Sequence, residues 1–211
     1  ALRLEGRLFR SGHCLAEASK LLSEDDPSVQ TGAGDRVYNL NFPPLDDILP
    51  WDIESPVLHD LELSLHLGGE RIDLARSRIG FREAIFKSDG FFLNGRRVFL
   101  RGLNRHQSWP FAGYAMGPGA QRQDAEILKR DLGCLVVRTS HYPQSRHFLD
   151  ACDELGLLVF TELPGWQHIG NEEWKRNALD DLERLVRRDR NHPSIILWGT
   201  RINESPDDEE F

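Results

Sequence analysis

Long apolar runs are missing from this 211-residue chain: stretches such as 156–160 and 194–198 fall far short of the ~18 residues that a bilayer helix needs, so no membrane partner is expected. Cysteine is scarce. Cys14, Cys134 and Cys152 are odd in number, widely spaced and without a CxxC pair, which excludes a disulfide framework or thiolate zinc site and fits a reducing, cytoplasmic setting. Positive charge is in deficit, with 26 Lys and Arg against 34 Asp and Glu and a net charge of −8, which argues against nucleic acid as partner. No HxH or HExxH spacing occurs, so a metal hydrolase built on His106, His141 and His168 is disfavoured. The chain opens Ala1-Leu2-Arg3, with neither a start Met nor a signal-like apolar core, and targeting is not legible. What is present, 39% hydrophobic and 28% charged residues, describes an ordinary soluble globular protein.

The first part of the chain alternates apolar and polar residues in short bursts. Leu61-Glu62-Leu63-Ser64-Leu65-His66-Leu67 puts its leucines on one face of an extended strand. Gly68-Gly69 then supplies a tight turn into Arg71-Ile72-Asp73-Leu74, a hairpin. Further strands are expected at 2–9, 37–42 and 79–87, giving an antiparallel β-sandwich over residues 1–88. From residue 89 to 211 the period changes. Four apolar runs at 98–101, 134–138, 157–160 and 195–198 alternate with helical patterns at 121–132, 145–155 and 172–190. Ala125, Leu128 and Leu132 are expected on one buried stripe of the first helix, and Gly133 and Gly156 as helix stops. A β-α-β-α-β-α-β order implies parallel strands with right-handed crossovers, and without a GxGxxG after the first strand it favours a TIM (β/α)8 barrel over a dinucleotide-binding sheet.

In such a barrel the working groups lie just past the C-terminal ends of the strands. The sequence places Asn104, Arg105, His106, Gln107 and Trp109 past the first, and Arg138 through Pro143 past the second. Glu162, Trp166 and His168 follow the third, and Asn203 and Glu204 the fourth. Each residue has a bland alternative. Glu204 belongs to an acidic run that reads as a solvated face, or it is partly desolvated behind an apolar strand and donates a proton near neutrality. His106 and His141 are satisfied loop histidines or bind hydroxyl groups. Trp109, Trp166 and Trp198 are core residues or, for Trp166 above all, a platform for the C–H face of a sugar. Arg138 is expected to pair with Glu162 across neighbouring strand ends.

Two long gapped motifs resemble the family 2 glycoside hydrolases, the group of β-galactosidases, β-glucuronidases and β-mannosidases. One runs Arg138-Thr139-Ser140-His141-Tyr142-Pro143, Phe148-Leu149, Asp153, Gly156 and on to Phe160. The other runs from Asp189-Arg190-Asn191-His192-Pro193-Ser194 through Trp198-Gly199 to Asn203-Glu204. Gly80-Phe81-Arg82, Leu93-Asn94-Gly95 and 101–106 fit the same family, in which an immunoglobulin-like sandwich precedes a catalytic barrel. The resemblance implies a retaining exo-β-glycosidase, most simply a β-galactosidase cleaving terminal β-galactosides, with two carboxylates about 5 Å apart. By resemblance Glu204 is the general acid/base, Asn203 binds the sugar 2-hydroxyl, and His106, Arg138 and His141 line the −1 sugar site. Glu162 matches a position that in some β-galactosidases helps to hold magnesium; the reading otherwise requires no cofactor. Leu135 stands where the family usually has Asn, which removes one polar contact. No residue after Glu204 matches the family's nucleophile. The chain is therefore expected to be a catalytically deficient piece, with half a barrel whose open apolar edges favour self-association into a homo-oligomer. A non-catalytic carbohydrate-binding or assembly module is the competing reading.

Overall fold

The computed structural model describes residues 1–23, 29–30, 36–165 and 167–209. They form two compact units, residues 1–49 with 58–79 and residues 50–57 with 80–211.

In the first unit β1 (Leu2–Arg10), β2 (His13–Leu22), β5 (His59–Leu67) and β6 (Glu70–Ile79) form one antiparallel sheet in the order β2-β1-β5-β6. β3 (Val29–Gln30) and β4 (Arg36–Val37) are a short separate pair. The expected Gly68-Gly69 hairpin is present, with Leu67 opposite Glu70 and both glycines at positive φ. A strand was expected over 37–42, but only Val37 of that segment pairs. Pro43-Pro44 withholds the N–H groups that a continuing ladder needs, and Leu40 and Phe42 instead pack over Gly6, where a Cβ would meet each at 2.7 Å. The strand expected over 79–87 is likewise broken, since β6 ends at Ile79 and pairing resumes only at Ala84.

The second unit opens with β7 (Ala84–Lys87), β8 (Gly90–Leu93) and β9 (Arg96–Val98), an antiparallel meander whose Asn94-Gly95 turn has both residues at positive φ. This meander takes up Val98 and displaces the first barrel strand, expected at 98–101, to β10 (Gly102–Asn104). β10, β11 (Val136–Arg138), β12 (Leu158–Glu162) and β13 (Ile195–Gly199) then form a parallel sheet in chain order. Gly102 is obligatory at its start, because a Cβ there would lie 1.6 Å from the Val136 carbonyl oxygen.

Three helices cover one face. α1 (Pro118–Glu126) continues into a π-turn over Ile127–Asp131, in which Leu132 N–H bonds to the Ile127 carbonyl. The extra residue in that turn breaks the 3.6-residue stripe, so Ala125 and Leu128 are buried while Leu132, expected inward, is exposed. α2 (Arg146–Leu155) starts on the Ser145 side chain, which accepts from His147 N–H, and stops at left-handed Gly156. α3 (Glu172–Asp189) is capped by Asn171 and buries Ala178 and Leu185. Val137, Phe148, Leu149, Cys152, Leu157, Val159 and Ile195 make the core between helices and sheet, with Trp198 packed against it. The other face carries Val136, Phe160 and Leu197 beside Leu103, and Leu103 and Leu197 stay open to solvent. Among the described residues no helix is long and apolar enough to cross a membrane.

Candidate active site

The ends of β11 and β12 each deliver a polar side chain to the same rim. Arg138 closes β11 and Glu162 closes β12. Arg138 Nε donates to Glu162 Oε1 at 2.6 Å, and His141 Nδ1 lies 2.9 Å from Glu162 Oε2. The pair expected from the sequence is thus present, with His141 as a third member. Glu162 has no exposed surface and Arg138 keeps 24% of its side chain open, so the carboxylate is held inside while the guanidinium reaches the rim. The approach depends on Gly199, where a Cβ would sit 2.8 Å from Glu162 Cγ. Thr139 Oγ1, to which the sequence alone assigns no role, accepts from Glu162 N–H at 3.2 Å.

Arg138 also lies over the Phe160 ring and donates through Nη2 to Asn203 Oδ1 at 2.9 Å. Arg138, Phe160, Glu162, Arg201, Ile202, Asn203, Ser205 and Asp207 line one open groove of about 410 Å³. His106 is exposed, with its ring edge-on to His141 at 5.7 Å between centroids. The Ser140–His141 peptide is cis.

Glu204 follows Asn203 but is exposed, so the desolvation expected from its position behind an apolar strand is not found; it makes no hydrogen bond or ion pair with another described residue. The acidic run around it is solvated, as its composition suggests, with Asp207 bonded to Arg201 and Asp208 to Lys175. Trp198 belongs to the core, Trp109 is partly exposed, and Trp166 lies outside the described residues. His168 sits against Trp174 with ring centroids 6.1 Å apart and is not brought to the Arg138 cluster.

Arg105, which the sequence places past the first strand without a role, turns out to be a structural clamp. Its guanidinium is buried over the Phe148 ring and bonded to Asp124, Gln121 and Gln144, while its backbone N–H donates to the Arg138 carbonyl at 2.8 Å. This clamp fixes the loop that carries His106. Nothing local marks an Arg just past a strand as buried, because the groups that bury it come from α1 and the start of α2.

The donors around Glu162 do not fit magnesium. Both oxygens are engaged by Arg138 and His141, a cation and a ring nitrogen where Mg2+ takes further oxygen ligands. Among the described residues the metal-ligating types converge elsewhere, at Asp150, Asp153 and His192.

The glycosyl hydrolases family 2 TIM barrel domain matches residues 85–211, over half of the chain, and a second model of glycosyl hydrolases family 2 matches residues 13–82. The chain belongs to glycosyl hydrolase family 2. The fold class expected from the sequence, an immunoglobulin-like sandwich followed by the first strands of a TIM barrel, is that of this family. A β-galactosidase of Thermoanaerobacterium thermosulfurigenes is 57% identical over 83% of the chain and 24% of its own length. One from Thermoanaerobacter pseudethanolicus is 51% identical over 79% of the chain and 23% of its own length. Among solved structures, a Bacteroides uniformis β-glucuronidase superposes with a TM-score of 0.83 at 32% identity, covering 97% of the chain and 24% of that protein. The chain therefore spans about a quarter of the length of these family 2 relatives.

Proposed function

We propose that the protein carrying this chain is a retaining exo-β-glycosidase acting on terminal β-galactosides, with Glu204 as proton donor and later base, and Asn203, Arg138, His141 and His106 around the −1 sugar. The observation that carries this reading is the convergence of Arg138, Glu162, His141 and Asn203 at the ends of adjacent parallel strands, beside one groove. An acid must reach the leaving oxygen, and Glu204, exposed and next to an anchored Asn203, has no competing partner among the described residues. The attacking carboxylate is assigned outside residues 1–211. Glu162 is locked by Arg138 and His141 and Asp207 is bound by Arg201, so neither carboxylate of the groove is available to bond an anomeric carbon.

Leaving-group dependence tests the assignment of Glu204. A general acid contributes about 10²- to 10⁴-fold when the departing alcohol is a poor leaving group. In kcat/KM, which reports the step that expels the leaving group and not the later base-assisted hydrolysis, Glu204→Gln should lose that factor on lactose and far less on 2,4-dinitrophenyl β-galactoside, whose phenolate departs without a proton. Equal losses on both substrates would remove Glu204 from the acid role. The sugar assignment rests on the galactosidase relatives, and faster turnover of the matching β-glucuronide would overturn it.

A further inference from the structure

The Asn203 side chain has two chemically opposite ends, and its neighbours determine which one a ligand meets. A guanidinium carries donors only, so at the 2.9 Å contact with Arg138 Nη2 the amide must present its oxygen. The NH2 end is then the one left for a ligand in the groove that Asn203 lines. Arg138 in turn is aimed by a carboxylate that cannot move. Glu162 is fully buried at the end of β12, its two oxygens meet Arg138 and His141, its N–H is held by Thr139, and Gly199 closes on its Cγ.

We propose that Glu162 is a positioning residue that, through Arg138, fixes the Asn203 amide with its NH2 toward the sugar, so that Asn203 donates to the oxygen of the 2-hydroxyl. Without the Glu162 anchor the guanidinium swings, the amide rotates freely, and a group prearranged as a donor becomes an average of donor and acceptor. The inference rests on the reading of Asn203 as a sugar contact given above. It assigns Glu162 an energetic role at one hydroxyl, not a general structural one.

The test compares kcat/KM on an aryl β-galactoside with that on its 2-deoxy analogue, in the whole protein that carries this chain. Asn203→Ala should lower the ratio of the two about 10-fold, the size of one hydrogen bond. Glu162→Leu should lower it by a similar factor, the double variant no further, and Glu162→Gln, which keeps an acceptor for Arg138, should restore most of it. If Glu162→Leu does not fold, Arg138→Lys, which keeps the charge and loses the two-sided fork, should lower the ratio in the same way. A ratio that falls with Asn203→Ala and stays put in the Glu162 or Arg138 variants overturns this inference alone. A ratio unmoved by Asn203→Ala overturns the sugar contact on which it rests. An independent readout is the Asn203 side-chain amide resonance pair in the 211-residue chain, which Glu162→Leu should shift and Glu162→Gln largely leave in place; a pair unshifted by Glu162→Leu also overturns the inference.

Discussion

Asp153 is the residue whose replacement tests most directly what holds the barrel unit together. It reaches from α2 to the start of β13, where Oδ1 accepts from Ser194 N–H at 3.0 Å and Ser194 Oγ–H at 2.5 Å, and Oδ2 meets His192 Nδ1 at 2.6 Å. Its backbone carbonyl separately accepts the Trp51 indole N–H at 2.8 Å, a contact that side-chain replacement leaves in place. Asp153→Leu keeps the branching at Cγ, removes both acceptors and strands three donors in a region where Asp153 and Ser194 are buried. Removing one side of a buried pair costs about 3–5 kcal/mol, and solvent access to His192 places the loss toward the lower end. At this chain length that is roughly 6–15 °C in Tm, readable by circular dichroism. The loss should also depend on pH. Burial pulls the His192 pKa down, but the Asp153 hydrogen bond and the charges of Asp153, Asp189 and Asp150 outweigh it, so the folded value lies above the ordinary 6.5. A raised folded pKa stabilises fully below the unfolded value and fades as pH rises through the folded one. The gap between wild type and Asp153→Leu should therefore be larger at about pH 5.5 than at about pH 8.5. A loss below about 1 kcal/mol, or a gap equal at both pH values, would refute the reasoning.

Gly102→Ala should prevent β10 from pairing with β11, because its Cβ would fall 1.6 Å from a backbone oxygen that cannot yield; urea unfolding should show a loss of about 3 kcal/mol. Gly117→Ala, with nothing within 4 Å of the new Cβ, should stay within about 0.5 kcal/mol. Phe111 is fully exposed at φ 70°, a backbone region that bulky residues avoid, so Phe111→Asn should raise stability by about 0.5–1 kcal/mol in the same measurement.

Periodicity and turn chemistry made most of the fold legible, and the exceptions share a cause. Gly68-Gly69, Ser145 and Gly156 act locally, through φ preference and a single cap, and each does what its residue type dictates. Leu132 failed because a π-turn adds one residue to the helix, and no side chain announces where that happens. The first barrel strand lies beyond its apolar run because Asn94-Gly95, a strong hairpin signal, closes a meander that takes up Val98 and leaves the barrel to start at Gly102. In the candidate site, the Arg138–Glu162 pair was legible because both residues close neighbouring parallel strands. The burial of Arg105 depends on which residues of α1 and α2 reach it, a tertiary matter.

The two family motifs each serve both ends of the parallel sheet, and hydrogen-bond satisfaction tells the ends apart. Asp153 comes from the first motif and His192 and Ser194 from the second; they meet before β13 begins, where every Asp153 oxygen is matched by a donor. Arg138 and His141 from the first motif and Asn203 and Glu204 from the second lie past the strands' C-terminal ends. There saturation stops part-way: Glu162 is closed off, Arg138 divides its donors between Glu162 and Asn203, and Asn203 and Glu204 face solvent. A cluster with no remaining capacity can only stabilise, whereas one graded from saturated interior to unsatisfied rim can hold a ligand in fixed geometry. Substitutions at Asp153 should therefore appear in stability before activity, and substitutions at Asn203 in activity with stability unchanged, a separation that parallel unfolding and kinetic measurements would expose.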